Sequence, residues 1–235
     1  MLFLYCLKFR IPKIGEKIFE IPGDQILATV IKRDNRFLCS VMLDGETKLA
    51  HLHDPGRLKE LIYPGNSVLV RNSKGKKTDL SITAAKRGED WILTDSRFHN
   101  RLASLFLEGE RRPEVPINGS RLDFMVDGAY VEVKGCSMID GDVATFPDAP
   151  TLRGKHHLEI LTDLLRNGTE SALIILVFSH EARCFSPNYE TDPGFGIAFQ
   201  NFMGCGGRIL IPKFRLAGPF LQFHGLIRPC VSEKF

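Results

Sequence analysis

A two-residue break, Asp127-Gly128, set between two alternating runs constrains this chain more than any other feature of it. The segment is RLDFMVDGAYVEVK, residues 121–134. Asp-Gly suits a two-residue hairpin turn, whose central residues need positive φ. Such a turn sets Val126 opposite Ala129 and carries the register back to Asp123 opposite Glu132. Alternation puts Lys134 on the face of Glu132 and gives Leu122, Phe124, Val126, Val131 and Val133 to the other, apolar face. One face packs, and the other holds two carboxylates and an amine.

Like charges opposed across a sheet destabilise it. Two carboxylates ~4 Å apart repel by about 4 kcal/mol at an effective dielectric near ~20. Lys134, Arg121 on the same face, or a divalent cation must offset that repulsion. A satisfied surface ion-pair cluster is the plain alternative, but Asp-x(8)-Glu-x-Lys carries a mechanism of its own. Hard carboxylate oxygens suit Mg²⁺ or Mn²⁺. Such an ion polarises a phosphate and activates water, while a lysine orients the nucleophile or meets developing charge. Asp123 and Glu132 are the expected metal ligands, and Asp123, Glu132 and Lys134 the expected catalytic set.

Around the hairpin the chain divides in two. Residues 1–23 form a weakly patterned extension. Residues 24–94 read as short strands at 25–33, 36–43, 47–53, 66–72, 80–86 and 90–94, split by Asp34-Asn35, Asp44-Gly45 and Pro64-Gly65. That pattern predicts a small OB-like barrel, with a helical turn or short helix at Gly56–Ile62. Residues 95–235 alternate helix and strand. Ser96 is expected to cap a helix reaching about Gly109, and Thr151 one reaching Asn167 and closed by Gly168. SALIILVF (171–178) has the continuous apolar character of a buried central strand. A helix near 193–204 and a strand near 208–215 follow. The fold class is α+β in two domains, a small barrel followed by an α/β domain.

Composition excludes rather than selects. With 43% hydrophobic and 25% charged residues the chain suits an ordinary globular protein, not a disordered or collagenous one. Lys and Arg total 31 against 28 acidic residues, so the +3 net charge matters only through its placement. The six cysteines have no metal-site spacing and read as scattered reduced thiols of a cytoplasmic protein. MLFLYCLKFR has its charge after its apolar run, unlike a signal peptide, and no run spans a bilayer, so no membrane partner is expected. Neither a GxSxG elbow nor a Walker loop is present.

Asp-x(8)-Glu-x-Lys across a hairpin resembles the PD-(D/E)xK nuclease superfamily, whose restriction-endonuclease-like fold it implies for the second domain. The next segment, GCSMIDGDVATFPDAPTLRGKHHLEIL (135–161), is similar to the sugar fermentation stimulation protein A (SfsA) family. So are IKRDNRF (31–37), AHLHDPGRLKELIYPGN (50–66), SRLDF (120–124) and FSPNYETDPGF (185–195). The resemblance covers roughly residues 24–215. It implies a DNA-binding protein with an OB-like domain and a nuclease-like domain, in which Asp123, Glu132 and Lys134 take the metal and catalytic positions. Two residues depart from the pattern: His156 stands where lysine is usual, and Gly135 where serine commonly follows E-V-K.

Further residues are candidates for phosphate or DNA contact. Arg153 and His157 lie one turn apart near the start of a helix, with a solvated flank as the alternative. Gly154 is expected to let that helix approach the sheet, and Asp148, between Pro147 and Pro150, to be a turn residue. Arg71, Lys74, Lys76, Lys77, Lys86 and Arg87 form a basic strand–loop–strand patch suited to a phosphate backbone. His51 and His53 read as structural. The expected function is DNA binding with Mg²⁺- or Mn²⁺-dependent nuclease activity. The alternative is a non-catalytic DNA-binding regulator of sugar catabolism that retains the nuclease fold.

Overall fold

A computed structural model describes residues 7–73 and 78–230, so Lys74, Lys76 and Lys77 lie outside the described residues. Two short strands, β1 (Lys8–Phe9) and β2 (Lys17–Glu20), precede β3 (Ile26–Asn35), β4 (Leu38–Leu43), β5 (Glu46–His51), β6 (Ser67–Asn72), β7 (Leu80–Arg87) and β8 (Asp90–Leu93). β5, β4, β3, β6 and β7 pair in that order. β5 then returns to β7 through Ala50↔Leu80 and His51↔Ser81, closing the OB-type barrel expected from the strand pattern. Alternation fills it: Cys39, Val41, Ala50, Val68, Val70, Ile82 and Ala84 are buried. Between β5 and β6 the expected helical turn is present as a single turn, in which Leu61 and Ile62 donate to Leu58 O, and it does not extend into a helix. Leu58 has φ +46°, outside helical geometry.

The second domain opens with a 3-10 turn (Ser96–Phe98) and α1 (His99–Ser104). Its cap is Asp95, whose carboxylate accepts from Arg97 N, while Ser96 Oγ donates to His53 O. The helix expected to reach Gly109 stops five residues early, because Leu107–Glu108 leave as β9 to pair with β1. Next come β10 (Arg111–Ile117), β11 (Ser120–Val126) and β12 (Ala129–Cys136). The Asp127-Gly128 turn takes the expected register, with Val126↔Ala129 and Phe124↔Val131. β11–β12 pairing ends there, and Leu122 joins a different core cluster from Phe124 and Val126. One apolar face had been expected to hold all three.

The chain continues through β13 (Met138–Asp140), β14 (Val143–Phe146), α2 (Leu152–Arg166), β15 (Ser171–Val177) and β16 (Cys184–Pro187). It ends with α3 (Pro193–Gly204), β17 (Arg208–Leu210), β18 (Pro212–Ala217), β19 (Phe220–Leu226) and β20 (Arg228–Pro229). The main sheet runs β10-β11-β12-β15-β18-β19-β2, with β17 also on β15. β15 is parallel to β12 and wholly buried, because its alternate residues enter two cores. Leu173, Ile175 and Val177 meet α2 and α3; Ala172, Ile174 and Leu176 join a core continuous with the barrel. Leu158 and Leu161 on α2 are fully buried, each worth about 1.5–3 kcal/mol. Thr151 and Asn167 cap α2 where expected. Gly154, however, backs onto the Thr151 side chain and Phe195 of α3, not onto the sheet.

Two findings revise the sequence reading of the chain's ends. β2 pairs with β19, and β1 with β9, so the leading segment is built into the second domain's sheets. β13, β14, β16 and β20 form a small separate sheet. Parallel β16–β20 pairing brings Cys184 and Cys230 to a Cα–Cα distance of 5.0 Å, where they form a disulfide. Reduced thiols had been expected throughout; Cys39, Cys136 and Cys205 are free. Among the described residues no helix is long and apolar enough to cross a membrane.

Candidate active site

The hairpin brings Asp123, Glu132 and Lys134 together as expected. Glu132 is only 2% exposed, and its Oε1 is shared by Lys134 Nζ and His157 Nδ1. Burial would raise the Glu132 pKa, but the charge of Lys134 and the hydrogen bond from His157 outweigh it, so it is held low. Its other oxygen, Oε2, is buried with no hydrogen-bond partner. Asp123 Oδ1 accepts from Asn100 Nδ2 (2.8 Å) and Oδ2 from the Val133 backbone N–H (2.8 Å). Burial, and then the charge of Glu132, push the Asp123 carboxyl up to about 6. The two carboxylates therefore differ: one stays anionic against Lys134, and the other titrates near neutrality. Arg121 plays no part in this balance, because it reaches outward to Glu114 at 3.0 Å.

α2 supplies the next layer. His157 is 1% exposed and faces Glu132, so it is not placed for direct contact with a phosphate in solvent. Arg153 Nε donates to its Nε2 at 3.4 Å, which leaves Nδ1–H to donate to Glu132. Arg153 itself is exposed beside the site. On the other side of Lys134, α1 contributes His99, stacked on Phe178 with ring centroids 5.1 Å apart. His99 Nε2 is buried without a partner, and burial lowers its pKa to about 4. The His99 ring fills the space that a side chain at Gly135 would need. Asn100 and His99 were not found from sequence, since a short polar helix start gives no periodic signal.

A second acidic group adjoins the first. Asp54 and Asp148 flank Gly56, and Leu58 N donates to Asp148 Oδ2 (3.0 Å). Asp148 is thus a link between the domains as well as a residue of the Pro-rich turn. Asp54, Asp148, Gly135, Ser137 and Phe146 line a cavity of about 30 Å³. Burial, opposed by the Gly56 N–H and reinforced by Asp148, raises Asp54 to about 6. A larger groove of about 550 Å³ between α2 and α3 is lined by residues such as Lys155, Glu159 and Asn201, and by none of the carboxylate-site residues.

The two arginines of the expected basic patch are paired with acids outside it. Arg71 Nη2 binds Asp95 Oδ2 at 2.7 Å, and its side chain is 13% exposed. Arg87 reaches Ser179 and Glu181 of the second domain, both at 3.0 Å. Lys86 Nζ lies 6.0 Å from the Trp91 ring centroid. His53 Nε2 meets Ser81 Oγ at 3.1 Å, in keeping with a structural role.

Comparison with known proteins agrees with the two-domain architecture. The family model described as "SfsA N-terminal OB domain" matches residues 31–94, and that described as "Sugar fermentation stimulation protein RE domain" matches residues 92–218. A curated relative from Saccharolobus solfataricus, named sugar fermentation stimulation protein homolog, is 48% identical over 225 residues. The match covers 96% of this chain and 91% of that one. A Sulfolobus acidocaldarius protein of the same name is 50% identical over 187 residues, covering 80% of this chain and 82% of its own. The solved structure of Pyrococcus furiosus SfsA in complex with Ca²⁺ superposes with a TM-score of 0.84 at 21% identity, covering 92% of this chain and all of that one.

Proposed function

This chain belongs to the sugar fermentation stimulation protein family, and we propose that it is a DNA-binding protein whose second domain is a divalent-metal-dependent nuclease. The observation that supports this reading is the asymmetric carboxylate pair on one hairpin. Glu132 is buried and anionic with one orphan oxygen, beside an Asp123 whose pKa is raised to about 6. An orphan buried oxygen and a neighbouring carboxylate of raised pKa fit a hard cation. Mg²⁺ commonly takes one or two carboxylates and completes its shell with water and phosphate oxygens. Asp123 and Glu132 would hold Mg²⁺ or Mn²⁺, which when bound polarises a phosphodiester and lowers the pKa of water. The solved relative described with Ca²⁺ accords with a hard-cation site in this fold.

The chain's own residues prepare the chemistry. Asn100 and the Val133 N–H fix both oxygens of Asp123. His157, itself held by Arg153, orients Glu132. Lys134 is 14% exposed at the side chain and holds its ammonium group against Glu132, a cation suited to meet charge developing on a phosphate oxygen. The runner-up is a DNA-binding regulator without cleavage. One observation favours it: among the described residues no three His, Cys, Asp or Glu side chains are arranged to hold a metal ion together.

A cleavage assay on single-stranded, duplex and branched DNA with Mg²⁺ or Mn²⁺ separates the two readings. The nuclease reading expects cutting that Lys134→Ala abolishes while DNA affinity stays nearly unchanged, because the lysine acts in the transition state. It also expects a metal-induced rise in melting temperature that Asp123→Asn removes. No cleavage by wild type, together with weakened binding by Lys134→Ala, would make the residue a phosphate clamp and leave the regulator.

A further inference from the structure

The barrel carries an aromatic and cationic surface that the carboxylate site does not use. At the β3–β4 turn Phe37 is 43% exposed, and its ring lies parallel to His51 with centroids 6.2 Å apart and an interplanar angle of 11°. His51 in turn meets His53 edge-on at 4.3 Å. Strand alternation puts Leu49 on the outward face with His51, opposite Ser40 of β4, and Leu49 is 45% exposed. Met42, two residues along that face of β4, is 40% exposed.

Cations rim this surface. The Arg36 guanidinium stands 5.6 Å from the Phe37 ring centroid, and its Nε donates to Pro55 O at 2.8 Å. Arg33 holds the same corner by donating to Gly56 O at 2.7 Å and Arg36 O at 3.0 Å. Arg57 and Lys59 follow on the adjoining loop and are exposed. Arg36, Arg57 and Lys59 have no carboxylate partner among the described residues, unlike Lys32 and Lys48, which pair with Asp34 and Glu46. Asp54 of this loop turns away and packs against Gly56 and Asp148. Cationic groups without carboxylate partners beside the partly exposed Phe37 ring call for a polyanion that also offers planar faces.

We infer that the Phe37–His51 surface, with Arg36 and Arg57, binds single-stranded nucleic acid by stacking unpaired bases on Phe37 and holding the flanking phosphates. A duplex presents the phosphates but keeps its base faces stacked on each other, so the aromatic part of the surface discriminates between them. The inference rests on the reading that this protein binds nucleic acid, and it moves the contact from the Arg71–Arg87 patch to the β3–β4 turn. The loop that Arg33 and Arg36 grip also donates from Leu58 N to Asp148, and Asp148 shares a cavity with Gly135, the residue after Lys134. A strand laid across Phe37 is thereby led toward the carboxylate pair.

Fluorescence anisotropy of the full chain with a labelled oligo(dT) and with a duplex of equal length tests this. Wild type should bind oligo(dT) at least tenfold more tightly than the duplex. Phe37→Ala should weaken oligo(dT) binding by about tenfold with the salt slope unchanged, and Phe37→Tyr should restore it. Arg36→Ala combined with Arg57→Ala should flatten the plot of log affinity against log salt by about one to two units. Exposure of Phe37 makes its variants ones that fold, which a melt will check. Equal affinity for strand and duplex, or no loss with Phe37→Ala, overturns the stacking surface while leaving nucleic-acid binding intact. No binding to either ligand overturns the underlying reading as well.

Discussion

A Cβ placed on Gly135 would stand 2.1 Å from Cε1 of His99 and 2.7 Å from each of its ring nitrogens. No real side chain tolerates that approach, so the imidazole of α1 and the missing side chain of β12 divide one volume between them. The packing is tight because His99 is also pressed on Phe178. This accounts for glycine at a position where the family resemblance suggests serine.

Gly135→Ala should therefore destabilise the protein by about 1–3 kcal/mol, the usual cost of overpacking. Adding His99→Ala should recover most of that cost. Urea melts of the two single variants and the double variant give the coupling directly. Strictly additive losses would mean that the two residues do not share the space.

Asp95 is fully buried between Arg71 and Arg97 and also caps the turn before α1. Burial opposes its charge, but hydrogen bonds from Arg97 and Arg71 outweigh burial and hold the carboxyl below its usual range. Asp95→Ala should cost about 3–5 kcal/mol, because it strands two guanidinium groups. The depressed pKa fixes the sign of the pH effect: the contribution is complete above about pH 4 and is lost as pH falls through the folded-state value. Acid titration monitored by circular dichroism should show the variant lacking this step.

Asp54 behaves in the opposite sense. Its folded pKa of about 6 lies above the ordinary aspartate value of 3.8, so the folded state binds the extra proton between the two. Stability from this group is greatest at low pH and declines as pH rises through about 6. Asp54→Asn keeps an oxygen for the Gly56 N–H bond and removes the charge facing Asp148 and Glu60. It should raise the melting temperature at pH 7 by ~2–4 °C, for a gain on the order of 1 kcal/mol. The advantage should shrink toward pH 4.

The Cys184–Cys230 bridge closes a span of 46 residues. Chain-entropy arguments give such a loop about 4 kcal/mol. Replacing both cysteines with serine should lower stability by that order, and reductant should lower the wild-type melting temperature but not that of the variant. Equal melts in all conditions would show that the bond adds nothing.

Local signals made much of this legible in the sequence. The Asp127-Gly128 turn, the caps at Thr151 and Asn167, and the apolar run at 171–177 act over a few residues, and each took its expected form. The nearness of Asp123, Glu132 and Lys134 was legible for the same reason, since they share one hairpin, although the strand pairing ends at Phe124↔Val131. What escaped depends on distant partners. β2 is defined by β19, β20 by β16, and the disulfide by that last pairing. His157 looked like a helix-flank residue because nothing near it in sequence announces Glu132. The ion pairs of Arg71 and Arg87 escaped for a related reason: their acids, Asp95 and Glu181, lie outside the run that made the two arginines look unpaired.

The pairing of β2 with β19 has a consequence for synthesis of the chain. Lys17–Glu20 are made before the barrel, and their partner Phe220–Leu226 long after it. During translation the barrel can close on its own local pairings while the leading strand waits, its hydrogen-bonding edge unclaimed. The main sheet of the second domain is finished only when β2 and β19 meet. A fragment cut at the barrel boundary and carrying residues 95–230 alone would lack β2 and present β19 as an open edge, a template for self-association.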